Sequence, residues 1–222
     1  MVKPRSREPD STRDKLLQAA FEEIYRRGFQ AASLDTILAK AGVSKGALYH
    51  HFPDKAALGY AVMDEVVKGF LLQRWGVLEP PTGDPVTALQ RILRQRAASL
   101  TAREVELGCP LNNLAQEMAP LDRRFQRGVK ATFDIWTDAV AKDLERGQGE
   151  GSVRKDVDAR KIGAFVVAAI EGSFGLAKGA QSAAMLRSNL EVLGSFLESL
   201  RLPSKERPKP RAKPQGSKRR RA

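Results

Sequence analysis

The sequence predicts an all-α protein, and three observations carry that expectation. Apolar residues recur at helical spacing along nearly the whole chain, helix caps and stops punctuate those stretches, and no segment sustains the period-two alternation of a half-buried strand. Hydrophobic residues make up 42% of the 222, enough for a sizeable core. About nine helices are expected: a head of three short helices, then a larger helical domain.

Each element follows from local chemistry. Over 11–27, Leu16, Leu17, Ala20, Phe21 and Ile24 form one apolar stripe; Gly28 ends it, with Arg26 and Arg27 in a last turn that suits cations. Ser33 caps a short helix to Ala41 that turns Leu34, Ile37 and Leu38 inward. Gly42 occupies a sharp turn, and Ser44 caps a third helix reaching about His51. Two short helices joined by a tight Ala41-Gly42-Val43 turn read as a helix-turn-helix. A long fourth helix is expected over 54–75, a Pro/Gly break over 78–84 and a helix over 86–100. Pro110 opens another over 111–118, and Pro120 a long one to about Arg146. The glycines of 147–151 read as a loop, before final helices over 157–178 and 180–200. The expected organisation is therefore a basic arm (1–10), a helix-turn-helix domain (11–56), a helical domain (57–202) and a disordered Pro/Lys/Arg tail (203–222).

Charge points to a polyanionic partner without locating its site. Thirty-eight Lys and Arg against twenty-six Asp and Glu leave +12, of which residues 203–222 carry +8 and residues 1–13 carry +2. A non-specific nucleic-acid-binding protein driven by that tail is thus one available reading. The single cysteine, Cys109, excludes an internal disulfide framework and suggests a reducing compartment. The polar N-terminus lacks a signal segment, and the longest apolar run, 162–170, is nine residues, short for a bilayer. A cytoplasmic protein without a membrane partner is expected. Both histidines are His50 and His51 in the head, so no metal site is expected. There is no glycine-rich phosphate loop, no telling carboxylate pair, and no histidine outside the head to activate Cys109, so neither a cofactor nor catalysis is expected.

The third helix carries the sharper signal. Helical geometry puts Leu48 and Phe52 on its buried side and spreads Gly46, Ala47, Tyr49 and His50 over the remaining arc. A glycine inside a helix costs about 1 kcal/mol relative to alanine, and close approach of a phosphate backbone would explain accepting it. Lys45 adds charge, Tyr49 a hydroxyl on a rigid ring, and His50 a donor able to reach base edges. Lys55 stands beside the free N–H groups of the next helix, a favourable phosphate site. An ordinary surface helix with fortuitous aromatics is the plainer alternative.

Residues 12–58, and above all AGVSKGALYHHFPDKAAL from Ala41 to Leu58, resemble the DNA-binding domain of TetR-family transcriptional regulators: Gly-Val-Ser, Gly-x-Leu-Tyr, His-Phe and Lys stand in register. The resemblance implies phosphate-positioning and base-reading roles for Ser44, Lys45, Gly46, Tyr49, His50 and Lys55, with Ser33 and Thr36 near the DNA backbone. Positions 32–33 read Ala-Ser where members often have Thr-Thr. It further implies a homodimer on a near-palindromic operator in double-stranded DNA, released by a small-molecule effector, with repression the expected outcome. The last two long helices would then pair between subunits. Gly163, Ala164, Ala168, Gly172 and Gly175 would allow close approach, and Phe165, Ile170, Phe174, Leu193 and Phe196 would supply apolar area. Packing within one subunit is the alternative.

An effector pocket is expected among Phe70, Trp75, Cys109, Leu111, Leu114, Met118, Phe133, Trp136, Val166 and Phe174, each also an ordinary core position. Mostly apolar walls and no charge cluster suit a hydrophobic or aromatic effector. Cys109 precedes Pro110 at a helix start, where the dipole favours thiolate, with Arg103 six residues upstream. The segment GCPLNNLAQEM resembles a version found in a subset of regulators of this type, some of which sense electrophiles or oxidants through a cysteine. Either Cys109 meets an electrophilic signal, or it is a small buried residue without a redox role.

Overall fold

The computed structural model describes residues 11–77 and 83–202. The expected arm 1–10, the tail 203–222 and residues 78–82 of the Pro/Gly break lie outside the described residues. Within them the architecture is all-α: eleven α-helical segments, one π-helical segment and a single isolated β-bridge, Val153 to Arg201.

Side-chain caps set most helix starts. The head consists of α1 (Ser11–Arg27), α2 (Leu34–Ala41) and α3 (Lys45–His51). Ser33 accepts from the Thr36 N–H and Ser44 from the Ala47 N–H, while Gly42 closes α2 in the left-handed region at φ 66°. Leu16, Ala20, Ile24, Ile37, Leu48 and Phe52 are buried as the helical spacing requires. Truncating one of these leucines or isoleucines to alanine costs about 2–5 kcal/mol.

Asp54 caps α4 (Lys55–Ala61), which runs through a π-helical segment (Val62–Val67) into α5 (Lys68–Arg74). Helical backbone persists across both junctions, so these three pieces are the one long fourth helix expected from the sequence. The rod starts in the head and ends at Trp75 inside the second domain. Asp84 caps α6 (Pro85–Ala98), and a Thr101–Glu104 capping box starts α7 (Ala102–Leu107), a six-residue helix additional to those expected. Then come α8 (Pro110–Met118), α9 (Arg123–Glu150), α10 (Ala159–Ala180) and α11 (Ala183–Glu198).

Two boundaries differ from expectation for identifiable reasons. The long helix α9 starts at Arg123 rather than Pro120, because Asp122 accepts from the Arg124 and Phe125 N–H groups. It also continues through the glycines read as a loop and stops only at Gly151, φ 76°. Gly147 is helical and buried; a Cβ there would stand 2.6 Å from both Pro85 and Val153. That glycine answers a packing demand rather than a turn.

Helices α9 and α10 form the spine of the second domain. At Gly163 an added Cβ would lie 2.7 Å from the Thr137 carbonyl, so glycine sets how closely the two helices approach. By length and composition α10 is apolar enough to cross a membrane, but one face is buried in the protein, through Val166, Val167, Ile170, Phe174 and Ala177.

Candidate functional site

The outer face of α3 is built as the sequence suggested. Leu48 and Phe52 anchor its inner side, at 1% and 4% exposure, while Ser44, Lys45, Gly46, Tyr49 and His50 are exposed and Ala47 is half-buried. A Cβ added to Gly46 would meet only the Ser44 Oγ, at 3.8 Å. Among the described residues, nothing requires glycine there.

Ser33 and Thr36 are exposed at the start of α2 and border a concavity of about 500 Å³ shared with Arg26, Arg27 and Lys40. These three cations were not among the expected site residues. Their signal in the sequence was only that two of them end α1 beside the turn into α2. Lys40 lies 3.7 Å from the buried Glu23 carboxylate. Lys55 is half-buried and already engaged: its Nζ donates to the Gln30 carbonyl at 2.9 Å and lies 5.1 Å from the Phe29 ring centroid. It ties the rod to the head, a role the sequence did not disclose.

The second domain holds an apolar cavity of about 420 Å³ between the end of the rod, α6, α9, α10 and α11. Of the expected pocket residues, Trp75, Trp136 and Val166 line it; Val77, Leu89, Ile92, Leu93, Ile135, Val140, Ile170 and Leu197 add to its apolar wall. Trp75 and Trp136 stack with centroids 5.1 Å apart. The remaining expectations need correction. Phe70, Cys109 and Phe174 line a separate void of only about 20 Å³ beside Trp75. Leu114 borders an outer groove between α1 and α8. Leu111 and Met118 are buried core and Phe133 is half-buried, and none of the three lines a described cavity.

A buried charge cluster lies against that small void, contrary to the expectation of none. Arg74 and Arg96 both donate to one oxygen of Glu104, while Thr101 donates to the other from its N–H and its hydroxyl. Burial pushes the Glu104 pKa up, but the Thr101 hydrogen bonds and the two guanidiniums outweigh it and hold the carboxyl below its ordinary value. Burial lowers the Arg96 pKa, opposed by Glu104.

Cys109 does not have the environment of a reactive thiolate. It is buried, and burial together with the neighbouring Glu171 carboxylate drives its pKa well above the ordinary thiol value. Glu171 itself is buried in α10, which raises its pKa to about 7, with the Cys109 thiol pulling the other way. Neither Glu171 oxygen has a hydrogen bond of normal geometry. Glu171 was missed, although it is the one acid in α10, set within an apolar run.

The expected interface residues divide into two groups. Ile170, Phe174 and Leu193 point into their own subunit's core, at 2%, 6% and 5% exposure, and Gly163 serves the contact with α9. Phe165 is exposed and meets half-buried Phe196 edge-on at 5.1 Å. With exposed Ala168, Gly172, Leu176, Met185 and Val192, they give α10 and α11 an open apolar face.

A capped helix-turn-helix with a polar outer face, joined by one rod to a cavity-bearing helical domain, defines a DNA-binding transcriptional regulator. Residues 16–62 match the family described as "Bacterial regulatory proteins, tetR family", and residues 85–191 match "Transcriptional regulator LmrA/YxaF-like, C-terminal domain". The chain belongs to the TetR family of transcriptional regulators, which are not enzymes. It is 28% identical over 185 residues to the HTH-type transcriptional repressor DhaR of a Mycobacterium species, covering 83% of this chain and 88% of that one. An uncharacterized HTH-type regulator of Lactococcus lactis subsp. lactis is 26% identical over 190 residues, covering 86% and 95%. The fold is also that of a TetR regulator from Chloroflexus aurantiacus, with TM-score 0.76, 25% identity and coverage of 86% and 97%.

Proposed function

We propose that the chain is an effector-responsive repressor that binds a near-palindromic operator as a homodimer, each subunit reading one half-site. The observation that carries this reading is the outer face of α3, where Lys45, Ala47, Tyr49 and His50 surround Gly46, which has open space above it. Such a surface lies flush in a major groove, with Ser44 and Ser33 hydroxyls, Thr36 and the Arg26–Arg27–Lys40 concavity against flanking phosphates. Lys55 acts through the head it braces. The open apolar face of α10 and α11, centred on Phe165, Leu176, Met185, Val192 and Phe196, pairs with its copy.

The 420 Å³ cavity is the effector site. It receives Trp75, the residue that ends the rod from the head, so a ligand there acts on the element carrying the reading helix. It shifts the equilibrium only by its different affinity for two placements of that rod. The division into head, helical domain and basic extensions follows the same logic, the rod from Lys55 belonging to both sides.

Selection from a random duplex pool tests the proposal. The expected result is an inverted repeat, bound specifically and with strong salt dependence, and weakened at least about tenfold by Tyr49→Ala with the dimer intact. Recovery of no sequence preference, or of a preference abolished by deleting 203–222 alone, would favour the tail-driven non-specific binder.

A further inference from the structure

Behind the effector cavity, two guanidiniums share a single carboxylate. Arg74 and Arg96 both donate to one oxygen of Glu104, Thr101 occupies the other, and Arg96 also donates to the Ser99 hydroxyl at 2.8 Å. Arg96 is only 6% exposed, yet among the described residues its Nε–H and that of Arg74 meet no acceptor. The Tyr25 hydroxyl on the same small void donates to the Gly108 carbonyl at 2.5 Å, so it supplies no counter-charge. A buried cation is tolerated when paired, and an unused N–H in such a place calls for an acceptor.

Trp75 is the shared wall of the two spaces. It lines the 420 Å³ cavity, where it stacks on Trp136, and also the arginine-lined void, where the Arg96 guanidinium lies over its ring at 5.7 Å. Among the described residues Trp75, which ends the rod, is the one lining both apolar cavity and cationic recess, so a ligand that reaches both must displace its side chain. The charged residues at the cavity's edge are poorer recognition groups: Asp138 and Lys142 are exposed, and Asp143 already faces Arg146 at 3.4 Å.

We infer that the effector is an organic anion, its apolar or aromatic body held against Trp75 and Trp136 and its carboxylate-type group accepted by Arg96 and Arg74. This rests on the reading of the 420 Å³ cavity as the effector site and specifies the ligand class it takes. The guanidinium donors fix the sign of the head group, and the tryptophan pair fixes the character of its body.

The chain has two tryptophans, both on this cavity, so intrinsic fluorescence of the full-length protein reports it directly. Benzoate, benzamide, benzylamine and inorganic phosphate serve as probes. Benzoate is expected to change the emission saturably, at concentrations about tenfold below benzamide, whereas benzylamine and phosphate leave it unchanged. Arg96→Gln should weaken benzoate about tenfold while sparing benzamide. Because Arg96 and Arg74 both also hold Glu104, the deciding readout is the comparison of probes on the wild-type protein, which needs neither variant. Equal affinity for benzoate and benzamide, preference for the amine, or no saturable benzoate response overturns the anion assignment. Benzoate binding that leaves operator affinity unaltered supports the anion recess while removing the effector reading of the cavity.

Discussion

Glu117, near the end of α8, holds the DNA-binding head by its main chain: its two carboxylate oxygens accept from the Phe29 and Gln30 N–H groups, each at 2.8 Å. Lys55 grips the same turn through the Gln30 carbonyl, and Tyr25 of α1 donates to Gly108 just before α8. The head is therefore tied to both ends of one short helix. Replacing Glu117 by alanine should cost about 1–2 kcal/mol, charge-assisted bonds being strong but these being half-exposed. Hydrogen exchange at residues 29 and 30 should quicken and operator affinity fall. Unchanged exchange at both amides would show that the clasp contributes nothing.

Gly46→Ala should move two quantities in opposite directions. The added methyl meets open space, and alanine is the better helix former, so thermal stability should rise by up to about 1 kcal/mol. In the proposed binding mode the same methyl would stand between α3 and the DNA, so operator affinity should fall. A variant both more stable and equally tight on the operator would place the contact surface elsewhere.

Phe165→Glu and Val192→Glu each put a charge on the open face of α10 and α11 without touching the subunit core, since these side chains are 51% and 66% exposed. Sedimentation should show monomers at concentrations where the parent is dimeric, with secondary structure retained. Ile170→Glu, by contrast, should unfold the subunit, because that side chain is buried within it.

Glu171 gives stability a pH dependence with a definite sign. Its folded-state pKa is raised by burial to about 7 from an ordinary 4.5, so the folded protein holds the proton more tightly than the unfolded chain. That contribution is fully present below about pH 4.5 and is lost as pH rises to about 7, on the order of 3 kcal/mol in all. Denaturation of the parent and of Glu171→Gln between pH 5 and 8 checks this. The parent's stability should fall relative to the variant's across that window, and parallel profiles would count against it.

The Cys109 thiol should resist modification in the native state, because it is buried and its pKa is raised well above the ordinary value. An aromatic disulfide reagent should label it only as fast as the protein opens, with labelling accelerating in denaturant. Rapid native-state labelling at neutral pH would restore the reactive-thiolate reading.

Much of the head was legible because its determinants are local. Ser33, Gly42 and Ser44 act within four residues of themselves, and the spacing from Leu48 to Phe52 fixes which side of α3 is buried. Elsewhere local signals misled or fell silent. Gly147 looks like a loop residue until Pro85 and Val153 are brought against it. Helix α7 is too short for periodicity to register. Along α10, apolar residues occur on every side, so nothing in the sequence distinguished Ile170 and Phe174, which face inward, from Phe165, which faces out.

The sequence by itself determined the all-α class, the helix-turn-helix, the exposed side of α3 and the family, because periodicity, capping and turn chemistry depend on neighbours a few residues apart. Tertiary structure alone decided that Arg74, Arg96 and Glu104 meet behind Trp75, that Glu171 faces Cys109, and that Glu117 clasps the Phe29–Gln30 turn. Those partners come from different helices. Which side chains converge, and which donors are left unpaired, depends on how the helices cross, and that is settled by the packing of the whole core.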